Sequence, residues 1–232
     1  MKIGIMQPYL IPYIGYFQLV HKVDVFILTD NYKYSKGGWI SRNRILQNGV
    51  VKYLSIPLVG ESDYLNISER RISDVFSPPK ILNVFRESYR DTEFYDEIFP
   101  IAEAIFNYPE RNLLRFISNS LVTLLRNLEI NTEIMYTSQF ALNPDSSGKD
   151  KIFQICKDLR ADTYINLPGG RSLYNCDEFL VNGIELKFLE PNITQYQQKS
   201  KAFIPNLSVM DVLFSVGIRS LICDHVTNFS ID

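Results

Sequence analysis

The opening thirty residues, MKIGIMQPYLIPYIGYFQLVHKVDVFILTD, restrict the fold more tightly than any other stretch of this chain. The apolar run Ile3 to Met6 stops at Gln7-Pro8, and a second run, Asp24 to Leu28, ends in Thr29-Asp30. Between them lies a segment punctuated by Pro12 and Gly15, with room for a loop and a short helix. Strand, loop, helix and strand in so little chain outline a βαβ unit. A short connection containing a helix must cross over, so residues 2 to 7 and 24 to 29 are predicted to be parallel neighbours in one sheet. Ligands of open α/β sheets sit beyond the carboxyl ends of the strands. That rule gathers Gln7, Tyr13, Gly15, Tyr16 and Asp30 around one crevice, with Gly15 allowing close backbone approach. The competing reading makes the tyrosines core packing and Asp30 a turn residue.

The pattern of the opening returns later. Glu133 to Phe140 has strand character, Lys151 to Leu159 is helical, and Asp162 to Leu167 is a strand. A short helix holding Phe179 and Leu180 then precedes a strand at Ile184 to Leu189. Such alternation favours parallel pairing with right-handed crossovers. The expectation is a Rossmann-like α/β fold: an N-terminal half over residues 1–77 and a C-terminal half over 131–232 that completes one mostly parallel sheet. In the first half, VVKYLSIPL reads as a strand and NISERRIS as a short edge strand. From Pro78 to residue 130 the texture is helical, predicting a subdomain of three helices. Leu113, Ile117, Leu121, Leu124 and Leu128 form the clearest apolar stripe there. Pro78, Pro79 and Pro109 suit first helical turns, where a missing N–H costs nothing.

Charge excludes one class of partner. With 24 Lys and Arg against 26 Asp and Glu, no electrostatic excess drives binding to nucleic acid. Cys156, Cys176 and Cys223 are odd in number and widely spaced, which indicates reduced thiols rather than a disulfide framework or a zinc site. The N-terminal apolar run is too interrupted for a signal peptide, and no segment approaches the length of a membrane span. The cytoplasm is the expected compartment. The 14 tyrosines suit sites where a ring stacks on sugar while its hydroxyl hydrogen-bonds.

Two further clusters are candidates for binding. Lys36, Gly37, Gly38, Trp39, Arg42, Asn43 and Arg44 combine the chain's single Trp with two arginines, whose planar forks bind phosphate bidentately. This is the expected grip for a sugar-nucleotide diphosphate. The alternative is a surface turn whose Trp packs inward. The loop Pro168-Gly169-Gly170-Arg171-Ser172 follows a predicted strand, an anion-binding position to which Arg171 adds charge. Gln197 and Gln198 are candidate donors to a sugar hydroxyl, and Asp211 a helix cap or ligand contact. Of the two histidines, His225 in a polar C-terminal stretch suits acid–base work better than His21. Cys156, mid-helix among apolar residues, reads as a buried structural thiol. No metal-ligand spacing is present.

The segments QPYLIPYIGYFQLV and GGWISRNRI, followed in order by YTSQF, KIFQICKDLRADTYINLPGGRSLY, FLVNGIELKF, QYQQ and LSVMDVLFSVG, resemble the WbqC-like proteins of bacterial surface-polysaccharide and O-antigen gene clusters. The likeness spans nearly the whole chain. It implies a place in lipopolysaccharide O-antigen biosynthesis and a sugar nucleotide as partner. Many relatives carry a Lys-His pair where this chain reads PPKILNVF, so no role of that histidine carries over. The layout of the opening also resembles adenylyl-transferring enzymes, although Tyr13-Ile14-Gly15-Tyr16 stands where those have His-x-Gly-His. Tyrosine donates a hydrogen bond to phosphate but supplies no cation.

Together these readings favour a transferase that joins an acyl or aminoacyl group to the amine of a nucleotide-activated sugar. Its donor would be activated by ATP or held on a carrier protein. Asp30 would orient or deprotonate the attacking amine, Trp39 or Tyr16 would stack, and Arg42, Arg44 and Arg171 would hold phosphates. A non-catalytic protein that recognises a sugar nucleotide is the alternative, and glycosyl transfer a third reading without an Asp-x-Asp motif.

Overall fold

A computed structural model describes residues 1–60 and 64–232. Its main sheet has six strands. These are β1 (Lys2–Met6), β2 (Val25–Leu28), β5 (Glu133–Tyr136), β6 (Thr163–Asn166), β7 (Glu185–Pro191) and β8 (Phe229–Ile231), in the order β5-β2-β1-β6-β7-β8. The predicted pairing of the opening strands is found: β1 and β2 are parallel, with Ile3 opposite Val25 and Met6 opposite Leu28. All other neighbours are parallel too, except β8, which runs antiparallel to β7. The fold is a mixed α/β, Rossmann-like one, and its strand order reverses at β1 and β6.

Alternating side chains divide two apolar layers. Ile3, Val25, Ile27 and Tyr164 face α5 (Gly148–Leu159) and α6 (Cys176–Val181), where Ile152, Ile155, Cys156 and Phe179 cover them. Phe26, Leu28 and Ile165 point the other way, into the larger cluster. That layer holds α1 (Ile14–Lys22), α7 (Val209–Ser220) and the three helices α2 (Pro78–Tyr89), α3 (Tyr95–Phe106) and α4 (Leu113–Asn127). Phe85, Phe106 and Phe116 share one contiguous cluster with Tyr16, Phe26 and Phe214. The predicted stripe of α4, Leu113 to Leu128, is buried throughout. A separate antiparallel hairpin, β3 (Arg42–Gln47) with β4 (Val50–Ser55), turns at Asn48-Gly49, both left-handed at φ 52° and 75° as a two-residue hairpin loop requires.

Two local expectations are corrected. NISERRIS is a 3-10 turn at Ile67–Glu69 rather than an edge strand, because Glu69 reaches back 2.8 Å to the Asn66 N–H and closes a capping box. Pro109 lies before α4, whose first turn is capped instead by Asn112 accepting from the Arg115 N–H at 3.1 Å. Pro78 and Pro79 do stand in the first turn of α2.

Candidate functional site

The chain leaving β1 passes over the carboxyl ends of the strands, and the rest of the structure pins it there. Asn43 on β3 donates its amide to the carbonyls of Leu10 and Ile11, each at 2.9 Å. The Ser208 hydroxyl donates to the same Ile11 carbonyl at 2.8 Å, and Val209 N–H to Pro12 O at 2.8 Å. Ile11 sits at φ 38°, a conformation a β-branched residue adopts only where its surroundings dictate it. The clamp therefore sets the path of residues 7 to 13 and presents Tyr9 and Tyr13 outward.

Two cavities flank Tyr9. One, about 430 Å³, is lined by Tyr9, Tyr13, Trp39, Arg44, Pro191 and Asn206 among others. The second, about 490 Å³, lies at the switch in strand order, against Gln7, Tyr9, Asn166, Gly169, Gly170 and the first turn of α5 at Gly148. Both have the size of small-molecule sites. In the first, Arg44 is half-buried, donates to the Asn206 carbonyl at 3.0 Å, and lies over Trp39 with its guanidinium carbon 5.3 Å from the ring centroid. Its Nε has no partner, and no carboxylate pairs with it among the described residues. Tyr53 on β4 stacks on Trp39, which lies in the segment leading into β3, at 6.3 Å and 13°. Tyr13 precedes the first helical residue, Ile14, and caps α1 with no side-chain bond; its carbonyl accepts from the Tyr16 N–H at 3.1 Å, so α1 starts beside this cavity with its first turn closed on its own backbone. Burial, then the neighbouring Tyr9, pushes the Tyr13 hydroxyl up to about 12, which keeps it a neutral donor.

Gly15 has a steric role. A Cβ there would meet the Tyr13 ring at 2.5 Å and Pro191 at 2.9 Å, so the glycine lets the ring lie across the helix start.

The expected site residues are thus partly brought together. Tyr13, Trp39, Asn43 and Arg44 line the first cavity, and Gln7, Gly169 and Gly170 the second. Tyr16 is a correction: its ring is 0% exposed within the core and its hydroxyl donates to Gln7 O at 3.0 Å, so no ligand reaches it. Asp30 lines neither cavity; its Oδ1 accepts from Thr137 Oγ1 at 2.8 Å and Ser138 N–H at 2.9 Å, joining the ends of β2 and β5. Arg42 turns toward the carbonyls of Gly37 and Gly38 and lies over Tyr53. Arg171 points away to Glu190 and Asp232, at 2.7 and 2.6 Å, which uses up its charge. Gln197 belongs to a third cavity. His225 is buried in a π-helical turn at Leu221–Val226 rather than in a polar tail, and burial lowers its pKa. His21 is exposed in the last turn of α1. Cys156 is buried as expected, and burial pushes its thiol up to about 12.

Tyr9, Asn206 and Ser208 were not singled out from the sequence. Tyr9 carries a local signal, as an aromatic directly after the Gln7-Pro8 strand end. The other two carry none, because they arrive from a distant strap. Arg70 is a further surprise: only 3% exposed, it lies 4.9 Å from the Tyr34 ring centroid, with Nε and Nη2 unpartnered.

A family profile described as the WbqC-like protein family matches residues 7–222. The chain is 26% identical to the uncharacterized protein Rv1507c of Mycobacterium tuberculosis over 225 residues, covering 94% of this chain and 95% of that protein. No solved structure matches it.

Proposed function

Because the chain belongs to the WbqC-like protein family, we propose that it binds a nucleotide-activated sugar in the crevice divided by Tyr9, as a step in bacterial surface-polysaccharide synthesis. The observation that carries this reading is Arg44, a half-buried cation with no carboxylate partner among the described residues, lining a cavity together with Tyr13 and Trp39. A partly desolvated guanidinium held by a carbonyl and an aromatic face, with no carboxylate beside it, is stabilised when an anion arrives. A diphosphate supplies one, and the Tyr13 hydroxyl, kept neutral by burial, adds a donor. Trp39 holds the guanidinium by its ring face. The second cavity, with Gln7 and the Gly169-Gly170 loop, receives the other end of the ligand.

Transfer of an acyl or aminoacyl group to the sugar amine is the second reading. The two cavities share Tyr9 and the loop after β6, so a donor in one would lie beside an acceptor in the other. The amine would attack the donor carbonyl, form the amide bond and lose a proton as the activating phosphate or carrier thiol leaves. Against it, neither cavity wall carries a His, Cys, Asp, Glu or Lys among the described residues. Recognition is therefore the function that the geometry supports best.

Calorimetric titration with UDP- and dTDP-linked amino sugars tests the binding. Arg44→Ala removes a charge-assisted hydrogen bond worth about 1.5–3 kcal/mol, so affinity should fall roughly 10- to 150-fold with little change in Tm. If no sugar nucleotide binds at about 1 mM, a free energy near −4 kcal/mol, the reading is abandoned. Mass-spectrometric detection of an acylated sugar nucleotide, with ATP or a carrier-bound donor supplied, would establish transfer.

A further inference from the structure

We infer that the chain carries a second ligand site, a polar cavity built around Ser88 and Asp211 that takes a small protonated amine bearing hydroxyl groups. The cavity is about 370 Å³ and lies between the turn end of the β3–β4 hairpin, the last turn of α2 and the strap at residues 197–199. It shares no lining residue with the two cavities around Tyr9 and does not rest on the nucleotide reading.

Three observations define its chemistry. Asp211 is 1% exposed, and its carboxylate accepts from Leu46 N–H at 3.1 Å, Tyr89 OH at 2.5 Å and Tyr196 OH at 2.8 Å. A carboxylate offers about four acceptor sites, so these three donors leave one. No cationic group pairs with it among the described residues, and burial raises its pKa despite the donors. Second, Ser88 is 4% exposed and lines the same cavity with an Oγ that has no hydrogen-bond partner. A buried hydroxyl left unpaired in a cavity of ligand size is an orphan that a ligand group completes. Third, Asp91 and Glu93 stand at the rim, where Asp91 meets Arg90 at 3.7 Å and Lys199 at 3.8 Å, so the three lining carboxylates outnumber the two cations beside them.

Lys199 shows what these acceptors hold. Its Nζ lies 3.3 Å from the Ser88 carbonyl and 3.8 Å from Asp91, on a side chain that is half exposed. The chain's own ammonium therefore occupies the mouth of the cavity, on a flexible stem that can yield to an incoming one. The excess of acceptors excludes phosphates and carboxylic acids. A neutral sugar would satisfy Ser88 but leave the negative charge uncompensated. A hydroxylated amine does both.

The test is a titration followed by NMR or calorimetry, with glucosamine as probe, glucose as the control of the same size without the ammonium, and N-acetylglucosamine as a bulkier neutral control. Saturable binding of glucosamine alone is expected. Ser88→Val, which puts methyl groups where the orphan hydroxyl stood, should abolish it, and Glu93→Gln at the exposed rim should weaken it several-fold. Asp211→Asn should weaken it about ten-fold or more; if that buried variant does not fold, the Ser88 and Glu93 variants decide. Equal binding of N-acetylglucosamine, no saturable binding of glucosamine, or indifference to both Ser88→Val and Glu93→Gln would overturn the proposal. Sugar-nucleotide binding at Arg44 is read separately, through the fluorescence of Trp39, so failure of one site does not mimic failure of the other.

Discussion

Replacing Asn43 by alanine removes three hydrogen bonds at once: those to the Leu10 and Ile11 carbonyls, and the bond its own Oδ1 accepts from the Arg44 N–H at 2.8 Å. At a net of about 1 kcal/mol each, the direct loss is near 3 kcal/mol. The two carbonyls fare differently. Ile11 keeps the Ser208 hydroxyl, whereas Leu10 loses the one donor that reaches its carbonyl among the described residues. Leaving that acceptor buried costs a further 1 kcal/mol or so. A total of about 3–4 kcal/mol lowers Tm by roughly 6–16 °C in a chain of this size. Scanning calorimetry gives the global figure, and Trp39, whose carbonyl accepts from the Leu10 N–H at 3.2 Å, reports locally as the chain's single Trp. Asn43→Asp should be worse at neutral pH, because a carboxylate then faces two carbonyl oxygens. Its pKa would be raised by folding, so the penalty lifts below the ordinary Asp range and returns as pH rises through the folded value. An Asn43→Ala protein within 1–2 °C of the parent, below the effect of about 1 kcal/mol, would show that the loop holds its path without the clamp.

Other substitutions probe separate parts of the reasoning. Gly15→Ala forces the Tyr13 ring away from Pro191 while improving helix propensity by about 1 kcal/mol; sugar-nucleotide affinity should drop with Tm nearly unchanged, and parallel losses would make Gly15 purely structural. Arg70→Met removes two unpartnered buried N–H groups and keeps apolar length over Tyr34, so Tm should hold or rise. A fall in Tm would reveal a counter-ion held by that guanidinium. Iodoacetamide at mildly alkaline pH should label exposed Cys176 and Cys223 in the folded protein and reach Cys156 only after unfolding, read as successive mass increments. Early labelling of Cys156 would contradict its burial.

The elements that could be read from the sequence are those whose signal is local. Residues 1 to 30 declare a parallel βαβ unit because a helix-containing crossover that short has few other solutions, and the α4 stripe declares itself by its period. NISERRIS misled because period-two alternation over a few residues also describes a capped turn, and Glu69 three residues after Asn66 was the overlooked cue. The site was legible only where its residues share a segment. Arg44 and Trp39 stand close in sequence and meet in space, whereas the partners of Arg171, Asp30 and Asp211 come from elsewhere in the chain. Arg171 read as an anion ligand until Asp232 and Glu190 arrived beside it. Tyr16 looked like a ligand contact since a tyrosine in a Gly-Tyr loop carries no mark of which way its ring turns.

The place of β1 in the sheet bears on how the molecule is made. Its pairing with β2 joins Ile3 to Val25 and can form early, but its other edge waits for β6, where Lys2 meets Thr163 about 160 residues later. During synthesis β5, β2 and β1 can assemble into a half-sheet whose inner edge, carrying Ile3 and Ile5, stays unpaired. An open apolar edge is a template for pairing with other chains, so yield on expression should depend on temperature and chaperones more than native stability suggests. The same strand that brings Gln7 to the centre of the crevice is thus the one that waits through the most chain for its second neighbour.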